Sequence, residues 1–154
     1  MKSLHLPPYD VQLVDQADGK YIYDIIRKKY IKLSSEEWVR QHFIHFLICH
    51  RHYPAGLFRI ERGVVKASRQ GRTDIEIWNR DGKPLLLVEC KSFELKLNKQ
   101  AVLQASVYNE KLQARIMILT NGLTHFAFEF KHTEAGKHYD RLDDIPFYNT
   151  IESL

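Results

Sequence analysis

Apolar residues along the chain change period, and each change marks an element. In "SSEEWVRQHFIHFLICH", residues 34–50, Val39, Phe43, Phe46, Leu47 and His50 fall on one helical stripe. Ser34 stands three residues before Glu37, the spacing of a capping box that opens a helix. Tyr53 to Gly56 interrupt that period. Beyond them "LFRIERGVVKAS", "TDIEIW" and "PLLLVECK" predict three strands, and "LNKQAVLQASVYNEKL" returns to a helical period with Ala101, Gln104, Ala105 and Tyr108 near one face. "RIMILT" and "THFAFEF" predict two more strands joined through Asn121-Gly122, a strong hairpin signal. The lead-in from Lys2 to Leu33 is aromatic and basic, and its "YIYDIIRKKYIKL" reads equally as extended or as weakly helical. The tail from Lys131 onward is polar and reads as a short cap over the sheet. The order is helix, three strands, helix, two strands.

The second and third strands form the informative hairpin. Asp81-Gly82 suits a two-residue primed turn, since both positions tolerate positive φ. If Arg80 pairs with Lys83, then Asn79 faces Pro84, Trp78 faces Leu85, Glu76 faces Leu87, Asp74 faces Glu89 and Arg72 faces Lys91. Thr73, Ile75, Ile77, Leu86, Val88 and Cys90 make one apolar face that belongs in the core. The other face is apolar near the turn, with Trp78, Leu85 and Leu87, and collects Arg72, Asp74, Glu89 and Lys91 at its far end, with Glu76 between. Two carboxylates directly opposite one another, with Cα atoms about 5.5 Å apart, repel. A divalent cation offsets that repulsion: Mg²⁺ accepts one or two carboxylates and uses its remaining positions for water and phosphate oxygens. Lys91, on the same face as Glu89, then brings a compact positive charge to a water or a phosphate. The plain alternative is a surface salt-bridge cluster in which Lys91 and Arg72 pair the two acids.

Composition narrows the setting. A chain of 154 residues, 44% hydrophobic, is the size of one ordinary domain with one core. Its longest apolar runs fall well short of the roughly 20 residues of a membrane span, and "MKSLHLPPYD" lacks the apolar centre of a signal peptide, so the expectation is a cytoplasmic protein without a membrane partner. Cys49 and Cys90 suggest neither a disulfide framework nor a CxxC metal site. A net charge of +4 makes nucleic acid a permissible partner. Arg51, Arg59, Arg62, Lys66, Arg69 and Arg72 precede Asp74 against Glu61 alone, whereas the tail leans acidic. A solvated surface explains each run equally well.

"TDIEIW" followed by "VECK" resembles the D…(D/E)xK signature of the PD-(D/E)XK nuclease superfamily. More narrowly, "EEWVRQHFIHFLI", "GRTDIEIWNRDGKPLLLVECKS", "QASVYN" and "ILTNGLTHF" together resemble the N-terminal nuclease-type domain of type I restriction enzyme R subunits, over roughly residues 34–130. The resemblance implies an α/β fold with a restriction-endonuclease-like αβββαβ core, a mixed central sheet flanked by helices. It divides the single domain into an N-terminal extension (1–33), a nuclease-like core (34–131) and a C-terminal cap (132–154). It implies that Asp74 and Glu89 are ligands of Mg²⁺, with Mn²⁺ able to substitute, that the Cys90 backbone carbonyl adds a ligand, and that Lys91 orients or activates the attacking water. A glutamate from the first helix joins the site in many members: Glu36 is the choice here, with Glu37 as the alternative. Gln104 and Tyr108 match a Gln-x-x-x-Tyr pattern of related nucleases, and their spacing equally suits ordinary helix–sheet packing. Arg69 and Arg72 are expected on the DNA backbone.

Thr73 replaces the proline that names the superfamily, and the sequence holds no GxxxxGK[ST] phosphate loop, so no helicase motor is expected in it. The expectation is a stand-alone DNA nuclease, as a homodimer or beside other restriction-system subunits. Two other readings remain. His42, His45, Cys49 and His52 are spaced for a zinc site on the first helix, although an amphipathic helix border explains them as well. A non-cleaving nucleic-acid-binding module, or an inactive subunit of a restriction or defence complex, would keep the basic strip without needing Asp74 to face Glu89.

Overall fold

The first long helix, α1 (Ser35–Arg51), starts where its capping signal stands, the Ser34 hydroxyl accepting the Glu37 amide at 3.0 Å. Glu36 and Glu37 occupy its first turn and His50 and Arg51 its last, the signs that suit a helix dipole. Val39, Phe43 and Leu47 are fully buried and Phe46 nearly so, but His50 is exposed. The apolar stripe therefore ends one turn earlier than expected, His50 stacking on the outside of Phe46 where the helix leaves the core.

A computed structural model describes residues 1–60 and 73–152, the side chains of Thr73 and Asp74 lying outside that description. Six strands, β4 (Phe58–Ile60), β5 (Thr73–Trp78), β6 (Pro84–Cys90), β7 (Ile116–Thr120), β8 (His125–Thr133) and β9 (Gly136–Leu142), form one sheet in that spatial order. All neighbours are antiparallel except β6 and β7, which run parallel and are joined through helix α2 (Lys99–Leu112). This is the expected mixed sheet flanked by helices. From Leu85 to Cys90 strand β6 is buried throughout, which is why "LLLV" shows no alternation: α1 covers one face and α2 the other. Ile75, Ile77, Leu86, Val88 and Cys90 share the core with α1, as the hairpin reading expected, while Leu87 and Met117 pack with Ala105 on the α2 side.

Three readings change. The hairpin keeps its register from Thr73↔Cys90 to Ile77↔Leu86, then shifts, so that Trp78 faces Pro84 instead of Leu85. The turn is not a two-residue loop closed by Arg80 and Lys83. The Asn79 amide donates to the Lys83 carbonyl at 2.7 Å, and the Asn79 side-chain oxygen accepts the amides of Asp81 and Lys83. An Asx-type turn outcompetes the primed turn because the asparagine offers the loop an acceptor of its own. The tail is no mere cap. Strand β8 runs to Thr133 and pairs with β9 from Ala127↔Leu142 to Thr133↔Gly136, and α3 (Tyr148–Glu152) follows. As an edge strand β9 needs few apolar residues, so its polarity hid it. Of the first expected strand only Phe58–Ile60 is described; the rest falls outside the described residues.

The lead-in resolves as extended. Strands β1 (Leu13–Gln16), β2 (Gly19–Asp24) and β3 (Lys29–Lys32) form a separate antiparallel sheet with Ile22 opposite Ile31. Ile22 and Asp24 are its fully buried positions on β2. An acid at a buried position broke the apolar alternation that would have announced the strand. Asp24 is tolerated there because it accepts the amides of Ile26 and Arg27 and meets the guanidinium groups of Arg27 (2.8 Å) and Arg40 (3.2 Å).

Candidate active site

Asp74 and Glu89 are Cα partners across the antiparallel β5–β6 pair, at the end of the sheet where β6 leaves the core. Strand alternation puts Glu89 on the α2 side of the sheet together with Leu87. The Glu89 side chain is completely buried and forms an ion pair with the Lys91 ammonium at 3.0 Å, while Lys91 itself remains about one-fifth exposed. The Lys91 amide donates to the Thr120 carbonyl at 2.8 Å, carrying the parallel ladder one residue past Cys90 and holding Lys91 on the extension of the strand. Glu89 thus sits in the protein and Lys91 at its edge.

The other residues divide. Cys90 faces Thr73 and Thr120 along the ladder, and its side chain belongs to the core on the α1 side. Glu36 is half-buried in the first turn of α1. That turn is fastened to the strand exit by a hydroxyl pair, Ser92 Oγ donating to Ser35 Oγ at 2.7 Å. No sequence signal marks these two serines, which lie 57 positions apart. Glu37, the alternative to Glu36, is buried within a different set: it pairs with Arg40 and Arg27 and accepts the Gln41 side-chain amide. Its carboxylate is committed to anchoring the helix.

On α2, Tyr108 donates to Glu76 Oε2 at 3.2 Å while Trp78 Nε1 donates to Glu76 Oε1 at 2.9 Å, so Tyr108 joins the helix to β5 through Glu76. Gln104 is exposed. The i, i+4 pair therefore splits, one member packed and the other at the surface. Arg69 and Arg72 lie outside the described residues.

The histidine row on α1 has an aromatic explanation. The Tyr9 ring stacks on His45 at 3.6 Å and meets the edge of His42, whose Nδ1 is 2.8 Å from the Trp38 carbonyl. Burial pushes His45 down to about 4, reinforced by His42 and opposed by Asp24, and burial also lowers His42. Cys49 and His52 are exposed. Among the described residues no three His, Cys, Asp or Glu side chains group to hold a metal ion; the Asp74 side chain is not among those described. No described helix is long and apolar enough to cross a membrane.

No curated protein and no solved structure matches the chain. A family model does, over residues 35–146, from the first turn of α1 past the end of β9. That span takes in both helices that flank the sheet and all six of its strands. The chain belongs to the family described as type I restriction enzyme R protein N terminus.

Proposed function

We propose that this chain is a metal-dependent nuclease that hydrolyses DNA phosphodiester bonds, without a helicase motor in its own sequence. The observation that carries the reading is the juxtaposition of Asp74 with Glu89 in register, with the Lys91 ammonium on Glu89, in a member of a restriction-enzyme family. The donor set fits Mg²⁺, with Mn²⁺ as a substitute. Carboxylate oxygens are hard ligands, and two acids facing one another beside a phosphate site are stabilised by a divalent cation.

In this reading Asp74 and Glu89 hold the ion, the Cys90 carbonyl adds a donor and Glu36 completes the set from the helix. When bound, the ion polarises the phosphoryl group and offsets charge on the leaving oxygen. Lys91, ion-paired with Glu89, uses its ammonium N–H donors to orient a water or a phosphate oxygen for in-line attack. Glu89, held by Lys91 in a dry setting, is pre-oriented. Arg69 and Arg72 contact the DNA backbone, an attraction that weakens steeply with salt. Other restriction-system subunits or a second copy of the chain are the expected protein partners.

The test is cleavage of supercoiled plasmid and of single-stranded DNA with Mg²⁺ or Mn²⁺, beside EDTA and Lys91→Ala controls. Metal-dependent cutting that disappears in Lys91→Ala is the expected result. No cutting of either substrate, with salt-sensitive DNA binding retained, overturns the reading in favour of a non-cleaving binding module.

A further inference from the structure

A cavity of about 550 Å³ opens beside the start of α2, within the size range of sites for small organic ligands. Its walls are Leu97, Val102, Leu103, Phe126 and Phe128, and Asn98, Lys99 and Arg141 complete its lining. No acidic residue lines it. Its shape and lining are those of a hydrophobic slot with two cations, and Leu103 stands 63% exposed beside it.

The register relates this slot to the candidate active site. Glu89 pairs with Leu119 on β7, and Leu119 with Phe126 on β8, so Glu89, Leu119 and Phe126 form one row across the sheet, on the α2 side. Phe126 is two strands from Glu89, about 10 Å at roughly 4.8 Å per step. That separation is on the order of three stacked base steps of 3.4 Å. Arg141 lies opposite Phe128 on β9, and its guanidinium carbon sits 4.8 Å from the centroid of the Phe126 ring. Bases stack on such guanidinium planes and on aromatic rings. Asn98 uses its side-chain oxygen to cap α2 by accepting the Ala101 amide.

We propose that this slot binds an unpaired nucleobase, with Lys99 and Arg141 on the flanking phosphates, two strands from Glu89 across the sheet. The pocket holds the base by its faces, so it tolerates sequence and discriminates strandedness: a base inside a duplex cannot enter. Charge favours this occupant over an apolar protein segment, because both charged lining residues are cations. The proposal rests on the nucleic-acid reading of the chain but not on cleavage.

The experiment uses the intact chain in EDTA, with an oligodeoxythymidylate carrying one 2-aminopurine as probe and its duplex as control. Stacking in the slot quenches the probe. Leu103→Glu, at an exposed position, and Phe126→Ala are expected to weaken single-strand binding about 10-fold while duplex binding stays unchanged. Lys99→Glu is expected to weaken both and to reduce the salt slope by about 1. Wild-type affinity and quenching in Leu103→Glu overturn the pocket. So does a result in which Leu103→Glu displaces an apolar dye without affecting the oligonucleotide, which marks a protein-docking groove. Plasmid cleavage by a chain that fails this binding test removes the pocket alone, and pocket binding by a chain that never cuts removes the nuclease reading alone.

Discussion

Two clusters of acid and base flank the start of α1, and they are built to opposite ends. In the first, Asp24, Glu37, Arg27 and Arg40 balance two negative charges with two positive ones, Asp24 and Arg40 are wholly buried, and the partners hold together β2, the turn after it and α1. In the second, Glu89 is equally buried, yet its lysine reaches the protein's edge and a second acid faces it across the hairpin. The first arrangement spends every charge on attaching the N-terminal sheet to α1. The second leaves the Lys91 side chain about one-fifth exposed beside a buried carboxylate. Burial of an acid alone does not separate the two clusters; the exposure of its partner does.

The largest effect should separate the clusters by readout. Lys91→Ala and Asp74→Ala are expected to reduce DNA cleavage by about 10³-fold or more. Lys91→Ala should keep the wild-type far-ultraviolet circular dichroism spectrum. Wild-type rates in either variant would remove the proposed mechanism. Arg40→Ala should do the reverse, stripping Asp24 and Glu37 of a buried partner and costing about 3–5 kcal/mol in urea unfolding. A cost below about 1 kcal/mol would mean that the network is solvated in the native state.

Acid titration sharpens the same contrast. Burial by itself would raise the Asp24 pKa, but the Arg27 amide, the Arg40 charge and the Arg27 side chain outweigh it and hold the group at about 2. Its contribution is therefore present above the unfolded pKa near 3.9 and is lost as pH falls toward 2. His45, depressed by burial to about 4 against an unfolded value near 6.5, binds its proton more readily when unfolded, so stability falls as pH drops from about 6.5 to 4. Thermal melts across pH 7 to 4 should show this decline, and His45→Phe should flatten it; an unchanged slope would exclude His45 as its source.

Smaller effects belong to the joints. Gly122 holds φ +82° in the β7–β8 turn, and a Cβ there would come within 2.9 Å of a Leu4 methyl, so Gly122→Ala is expected to cost about 1–3 kcal/mol and loosen the N-terminal segment, as hydrogen exchange at His5 would report. Ser34→Ala should remove the α1 cap at about 1 kcal/mol, measurable by denaturant midpoint.

Much of the β5–β6 hairpin was legible in the sequence. The alternation in "TDIEIW" specified which residues of β5 turn inward, and the pairing of Asp74 with Glu89 followed from the turn expected at Asp81-Gly82. That register survives even though the turn expected to impose it differs. The near end was misread since Asn79 competes for the loop amides, a local contest between two acceptable turns that spacing alone does not decide. Glu36 and Glu37 were indistinguishable as neighbours in one helical turn; Glu37 is separated from the candidate site by its pairing with Arg40 and Arg27.

Local pattern was thus enough for α1, the hairpin, the helix after it and the meeting of Asp74 with Glu89, because each depends on residues close in the chain or on one buried face. Packing between distant segments decided the remainder: a lead-in made extended by burying an acid against two arginines, a polar tail recruited as an edge strand, a serine pair fastening the helix start to the strand exit, and a slot lined by Leu103 from α2 and Phe126 from β8. These features are energetically sensible only once the partner is present, and a single stretch of sequence does not carry its partner.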